Sequence, residues 1–138
     1  MLDFLGESGD RVVATPFVEA TPEEQEEGDE PLDAEGTRLY RGCVGLALYI
    51  APDREDIQDT VRRLSCKMQK PTTLVFKALV RLARYLAGTR DYAHWLPKRG
   101  DYSKLLCFAD AGFAGDKVSR GSTTCGILTC GWGRPCKL

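Results

Sequence analysis

Two stripes of apolar residues at helical spacing, separated by one Lys70-Pro71 step, limit the architecture of this 138-residue chain more than any other feature. In residues 53–69, Ile57, Val61, Leu64 and Met68 recur at helical intervals, and in residues 73–87, Val75, Leu79, Leu82 and Leu86 do the same. That period places each set on one side of a helix. Asp53, Glu55 and Asp56 put acids at the start of the first helix, where the helix dipole favours them. Lys70-Pro71 stops it, Thr72 or Thr73 supplies a cap for the second, and Gly88 ends that one. Two amphipathic helices joined by so short a turn pack as an antiparallel hairpin. A third helix is expected over residues 40–50, with Tyr40, Cys43, Val44, Ala47 and Ile50 on its apolar face. Gly42 and Gly45 weaken it but let another backbone come close.

Charge divides the chain. Residues 1–35 carry a net −11 and the rest a net +10, although the total is −1. A basic body with an acidic arm suits a polyanionic partner, and equally a solvated surface beside a disordered tail. Residues 21–37, with Glu23-Glu24-Gln25-Glu26-Glu27 inside them, have too little apolar surface to offset chain entropy and read as an acidic disordered linker. Before it, Val12, Val13 and Thr15 favour a short extended segment that Pro16 ends or places at a sheet edge.

The chain changes character after Thr89. Residues 92–97 alternate weakly, 98–101 form a turn, and 104–109 and 123–130 are strand candidates, with another starting near Trp132. No following helix covers this sheet, so the C-terminal part reads as incomplete. The expected organisation is a 1–20 extended segment, a 21–37 linker, a 38–90 helical segment and a 91–138 strand segment, an α+β class overall.

No apolar run reaches the ~18 residues of a membrane span, and the N-terminus lacks the pattern of a secretion signal. Six cysteines form no Cys-x-x-Cys pair, and with His94 the single histidine no zinc pattern arises. Reduced core thiols and an intracellular location follow as expectations.

Lys77, Arg81 and Arg84 fall on one solvent face at spacings of four and three, and Arg62, Arg63, Lys67 and Lys70 add to it from the preceding helix. Such a face neutralises several phosphates with little regard to sequence, and it also suits an ordinary solvated helix. Tyr85 and Trp95 read as packing residues. Asp110 ends an apolar strand, where a carboxylate needs a metal, a donor or solvent. Position 112, on the same strand face, is glycine, and Asp116 lies beyond the turn. One carboxylate cannot hold the two magnesium ions of phosphodiester hydrolysis, so Asp110 is a weak metal candidate and equally a turn former. Ser122, Thr123 and Thr124 have no adjacent histidine to act as base, and no phosphate loop is present.

The order of these segments resembles the Pol polyprotein of copia-type retrotransposons. The resemblance rests on Tyr40-Arg41-Gly42-Cys43-Val44-Gly45-Leu46-Ala47-Leu48-Tyr49, then Asp56-Ile57, Arg63-Leu64-Ser65, Lys70-Pro71-Thr72 and Arg84-Tyr85-Leu86-Ala87-Gly88-Thr89-Arg90-Asp91-Tyr92. In that family these segments follow the reverse-transcriptase palm, in the thumb and connection region. Asp110-Ala111-Gly112-Phe113-Ala114-Gly115-Asp116 and Arg120-Gly121-Ser122-Thr123-Thr124-Cys125-Gly126 are similar to the start of its ribonuclease H domain, and Val13-Ala14-Thr15-Pro16 to a motif just upstream of the thumb.

The resemblance implies a thumb-like helical segment followed by an incomplete ribonuclease H-like sheet, in which Asp110 is the remnant catalytic carboxylate. The family's usual second Asp is Gly112 here, and Glu55 stands where the family commonly has proline. The polymerase aspartates and the later ribonuclease H carboxylates are missing. The chain is therefore expected to be inactive alone and to lack a cofactor, although the complete family enzyme implies Mg2+. Expected partners are an RNA–DNA hybrid on the basic helical face and the remaining Pol segments, with no membrane. The alternative is a reused protein–protein interaction module built on the helical hairpin.

Overall fold

A computed structural model describes residues 11–21, 29–92, 105–113 and 120–130. The chain divides into two compact units, residues 1–94 and 95–138.

The first unit is helical. Helix α1 (Ala34–Ile50) starts at Asp33, whose side chain accepts from the Gly36 amide at 2.7 Å. A Cβ on Gly36 would sit 2.8 Å from that carboxylate oxygen, so glycine keeps the cap open. Ala51–Asp53 and Glu55–Ile57 are single 3-10 turns, followed by α2 (Gln58–Ser65) and α3 (Thr73–Gly88). Tyr40, Cys43, Val44 and Ala47 of α1 meet Ile57, Val61 and Leu64 from the next stretch and Leu79 and Leu82 of α3 in one core. The expected stripes are thus the buried faces, with Val75, Leu86 and Met68 half-buried at the margin.

Several expectations are corrected. α1 begins six residues before position 40, inside the segment read as a linker, because Asp33 caps it. Residues 29–32 are also ordered: the Leu32 amide donates to the Pro71 carbonyl at 3.0 Å and the Thr73 amide to the Glu30 carbonyl at 2.9 Å. Thr72 makes no side-chain cap for α3. Asp29 does that work instead, accepting from the Leu74 amide at 3.1 Å. Residues 22–28 of the acidic run lie outside the described residues.

The helix expected over 53–69 is α-helical only from Gln58 to Ser65. At its C-terminal end α1 side chains take carbonyls of the turn. Tyr40 Oη donates to the Leu64 carbonyl at 2.8 Å, and Arg41 donates to the Met68 and Gln69 carbonyls at 2.8 and 3.2 Å. Satisfied from outside, these carbonyls need no further helical turn. Burial, with the nearby Cys66, pushes the Tyr40 phenol up to about 12.

Residues 11–17 form no strand. The segment runs as coil along the helices, with Val13 packed against the core. Of the thiols described, only Cys43 is buried, while Cys66, Cys107 and Cys125 are free and exposed, contrary to the core role expected.

The second unit contains an antiparallel pair, β1 (Leu105–Gly112) and β2 (Thr123–Cys130), in a register that sets Leu105 opposite Cys130 and Gly112 opposite Thr123. β1 runs three residues beyond position 109, so Asp110 lies within the strand. Leu106, Phe108 and Ile127 fall on one face and Leu105 and Leu128 on the other, all exposed. The strand candidate at 92–97, apart from Tyr92, and the one near Trp132 lie outside the described residues, as do His94, Trp95 and Asp116.

Candidate nucleic-acid interface

The basic residues singled out from the sequence meet different fates. Arg62 and Arg63 both turn onto Asp59 of their own helix, at 3.0 Å and 2.7 Å. Partial burial works against the charged Asp59, but hydrogen bonds from Arg63 and Arg62 outweigh it and hold the carboxyl below its usual range. Arg63 also reaches Glu19 at 3.5 Å and lies over the Phe17 ring, 5.1 Å from its centroid. The bond to Asp59 leads in raising the Arg63 guanidinium further.

Lys67 and Lys70 stand on the turn after α2, not on the helix, and Lys77 stands on α3. All three are exposed, and none enters a salt bridge among the described residues. Arg81 and Arg84 are half-buried, which corrects their assignment to a solvent face. Arg81 Nη2 donates to Thr15 Oγ1 at 2.8 Å, and its Nε is buried with no hydrogen-bond partner among the described residues. The N-terminal segment, whose partner could not be read from the sequence, is what meets Arg81: the apolar and basic stripes of α3 do not reveal that a distant coil shares the same side.

Asp110 lies on β1 directly opposite Cys125, exposed, with Gly112 two positions on along the same face. Among the described residues no three His, Cys, Asp or Glu side chains gather to hold a metal. A carboxylate facing a thiol is a poor donor set for Mg2+, which prefers hard oxygen ligands, so these residues do not fit the ion.

Sequence reasoning missed a polar cluster at the end of α3. Arg54 makes a two-pronged pair with Asp56, Nε to Oδ1 at 2.9 Å and Nη2 to Oδ2 at 2.7 Å. The same guanidinium donates to the Thr89 carbonyl at 3.1 Å and to Thr89 Oγ1 at 2.8 Å, between the rings of Tyr85 and Tyr92. Tyr85 Oη donates to Asp56 Oδ2 at 2.8 Å. Arg54 leads in holding the Asp56 carboxyl below its usual range, whereas burial leads in raising the Tyr85 phenol. Two segments that carry the resemblance, Asp56-Ile57 and Arg84 to Tyr92, thus meet in space. There Arg54, Asp56, Tyr85 and Thr89 hydrogen-bond to one another, which ties the two segments together.

Known proteins align with this sequence. The chain is 43% identical over 101 residues to the retrovirus-related Pol polyprotein from transposon RE1 of Arabidopsis thaliana, covering 70% of this chain and 7% of that protein. The corresponding RE2 polyprotein of the same plant is 42% identical over 101 residues, with the same coverage of each chain. An uncharacterized mitochondrial protein of Arabidopsis thaliana, AtMg00810, is 32% identical over 93 residues, covering 66% of this chain and 38% of that protein. No family model and no solved structure matches. The chain spans less than a tenth of the two Pol relatives, 7% of each. At that identity over most of its own length, the chain belongs to the Pol polyproteins of copia-type retrotransposons, as one stretch of them.

Proposed function

We propose that the helical unit contacts the phosphate backbone of a nucleic acid, an RNA–DNA hybrid in the parent setting, while the chain has no catalytic activity alone. The observation that carries this reading is the set of exposed lysines Lys67, Lys70 and Lys77, which has no intramolecular ion pair among the described residues. Each such cation that meets a phosphate releases a counterion condensed on the nucleic acid, which favours binding at low salt. Arg62 and Arg63 contribute less, since Asp59 already neutralises part of their charge.

On this reading the parent polyprotein performs reverse transcription with degradation of the RNA strand. The helical unit would be its thumb-like part, and β1–β2 the first strands of a ribonuclease H-like sheet. Apolar residues on both faces of β1–β2 support a place inside a larger layered sheet. No step is assigned to Asp110 or to Mg2+. Among the described residues no helix is long and apolar enough to cross a membrane, and the proposed setting is intracellular.

The test is a titration with an RNA–DNA hybrid across a salt series, with and without Mg2+, monitored for cleavage. Affinity falling steeply with salt, without cleavage, is the expected result. Magnesium-dependent cleavage lost in Asp110→Asn would overturn the inactive assignment.

A second reading, a protein-interaction module, draws on α1. Leu46, Leu48 and Tyr49 are exposed there, and nothing lies within 4 Å of where a Cβ would stand on Gly42 or Gly45. Binding to the remaining Pol segments through that apolar face would be insensitive to salt.

A further inference from the structure

We infer that residues 12–19 form an intramolecular strap that occupies part of the basic surface of α2 and α3, so that nucleic acid must displace it to bind fully. The inference rests on the nucleic-acid reading above and adds its regulation.

Five contacts, spread along eight residues, seat the strap. Val12 lies over Gly88 so closely that a Cβ on that glycine would collide with the valine side chain. Val13 packs against the helical core. Thr15 Oγ1 accepts from Arg81 at 2.8 Å. Phe17 stacks under the Arg63 guanidinium at 5.1 Å, and Glu19 faces the same group at 3.5 Å. The strap thus gives two arginines of the basic face an oxygen acceptor, a ring and a carboxylate, chemistry that a sugar–phosphate backbone would otherwise supply.

The strap is held weakly enough to leave. Glu19 keeps 81% of its side chain exposed and Arg63 43%, and Val12 is 62% exposed. Exposed ion pairs and exposed cation–ring contacts are each worth about a twofold to fivefold change in an equilibrium. Only Val13 is anchored in the core, so the stretch from Thr15 to Glu19 can lift while the helices stay folded.

The full chain and the variant Thr15→Val/Phe17→Ala are titrated with a short RNA–DNA hybrid at low ionic strength. The variant loosens the strap with no change in net charge, so any gain is not a bulk electrostatic effect. Glu19→Gln, at an exposed side chain, serves as a second variant that leaves the core alone, with Glu35→Gln at the start of α1 as its charge-matched control.

Binding about fivefold tighter in the double variant, and tighter in Glu19→Gln than in Glu35→Gln, is expected. Hydrogen exchange of the amides at 15–19 should rise when hybrid is added to the unmodified chain. If the unmodified chain binds but neither strap variant differs from its control, the strap is wrong and the nucleic-acid reading stands. Weaker binding by the double variant would make Thr15 and Phe17 part of the binding surface and overturn the inference. If no version binds, both readings fall.

Discussion

Tyr85 Oη donates a 2.8 Å hydrogen bond to Asp56 Oδ2, joining the last turns of α3 to the 3-10 turn that precedes α2. The same carboxylate receives both prongs of Arg54, whose side chain is only 16% exposed. Arg54 in turn holds Thr89, one residue past α3. A connection between residues about thirty positions apart therefore ties the end of α3 to the turn before α2.

Replacing Asp56 by Asn keeps the shape but leaves a half-buried guanidinium without its counter-charge. We expect a loss of about 2–3 kcal/mol in unfolding free energy. Tyr85→Phe removes one donor and should cost about 1 kcal/mol. Urea unfolding of both variants checks the ranking, and equal effects would remove the pair from its central place.

The same carboxyl makes stability depend on pH. Its folded pKa is lowered from the ordinary 3.8, so the unfolded chain binds this proton more readily than the folded one. The stabilising contribution is complete above that ordinary value and is lost as pH falls through the lower, folded value. Thermal unfolding between pH 6 and pH 3 should show a midpoint that falls at the acid end, with a smaller fall in Asp56→Asn.

Asp29 caps α3 from outside the helix. Asp29→Ala should destabilise the helical unit by about 1 kcal/mol, whereas Thr72→Ala should change it by only a few tenths, because the Thr72 side chain makes no cap bond. A larger effect at Thr72 would reverse the assignment.

Tyr40→Phe removes the buried donor to the Leu64 carbonyl. That carbonyl also accepts from the Lys67 amide at 3.0 Å, so it is not orphaned, and the expected loss is about 1 kcal/mol. Chemical denaturation measures it directly.

On the interface, Lys77→Ala should lower the slope of log affinity against log salt by about 0.9, the share of one phosphate contact. Arg62→Ala should lower it less, because Asp59 already engages that side chain. Asp110→Asn should leave both affinity and slope unchanged. Equal slopes for Lys77→Ala and the unmodified chain would remove that lysine from the contact.

Much of the core was legible beforehand. Ile57, Val61, Leu64, Leu79 and Leu82 recur at helical spacing, and burial of an apolar stripe follows from that spacing by itself. Strand 123–130 was an equally local property, set by β-branched residues, and the end of α3 at Gly88 also fell where expected, although Gly88 is itself helical and Thr89 is the cap. The family, too, was readable, because it lies in the order of short motifs.

Tertiary structure alone decided the rest. Asp29 looked like one more acid in a charged run, and only the return of the chain beside Pro71 makes it a cap. Arg81 looked like a solvent cation, and only Thr15, sixty-six positions earlier, half-buries it. Asp56 looked like a first-turn acid, and only the end of α3 turns it, with Arg54, into a lock. In each case the partner is far along the sequence. Periodicity reports which face a residue is on, whereas a charged side chain's role depends on what the fold brings within hydrogen-bond reach.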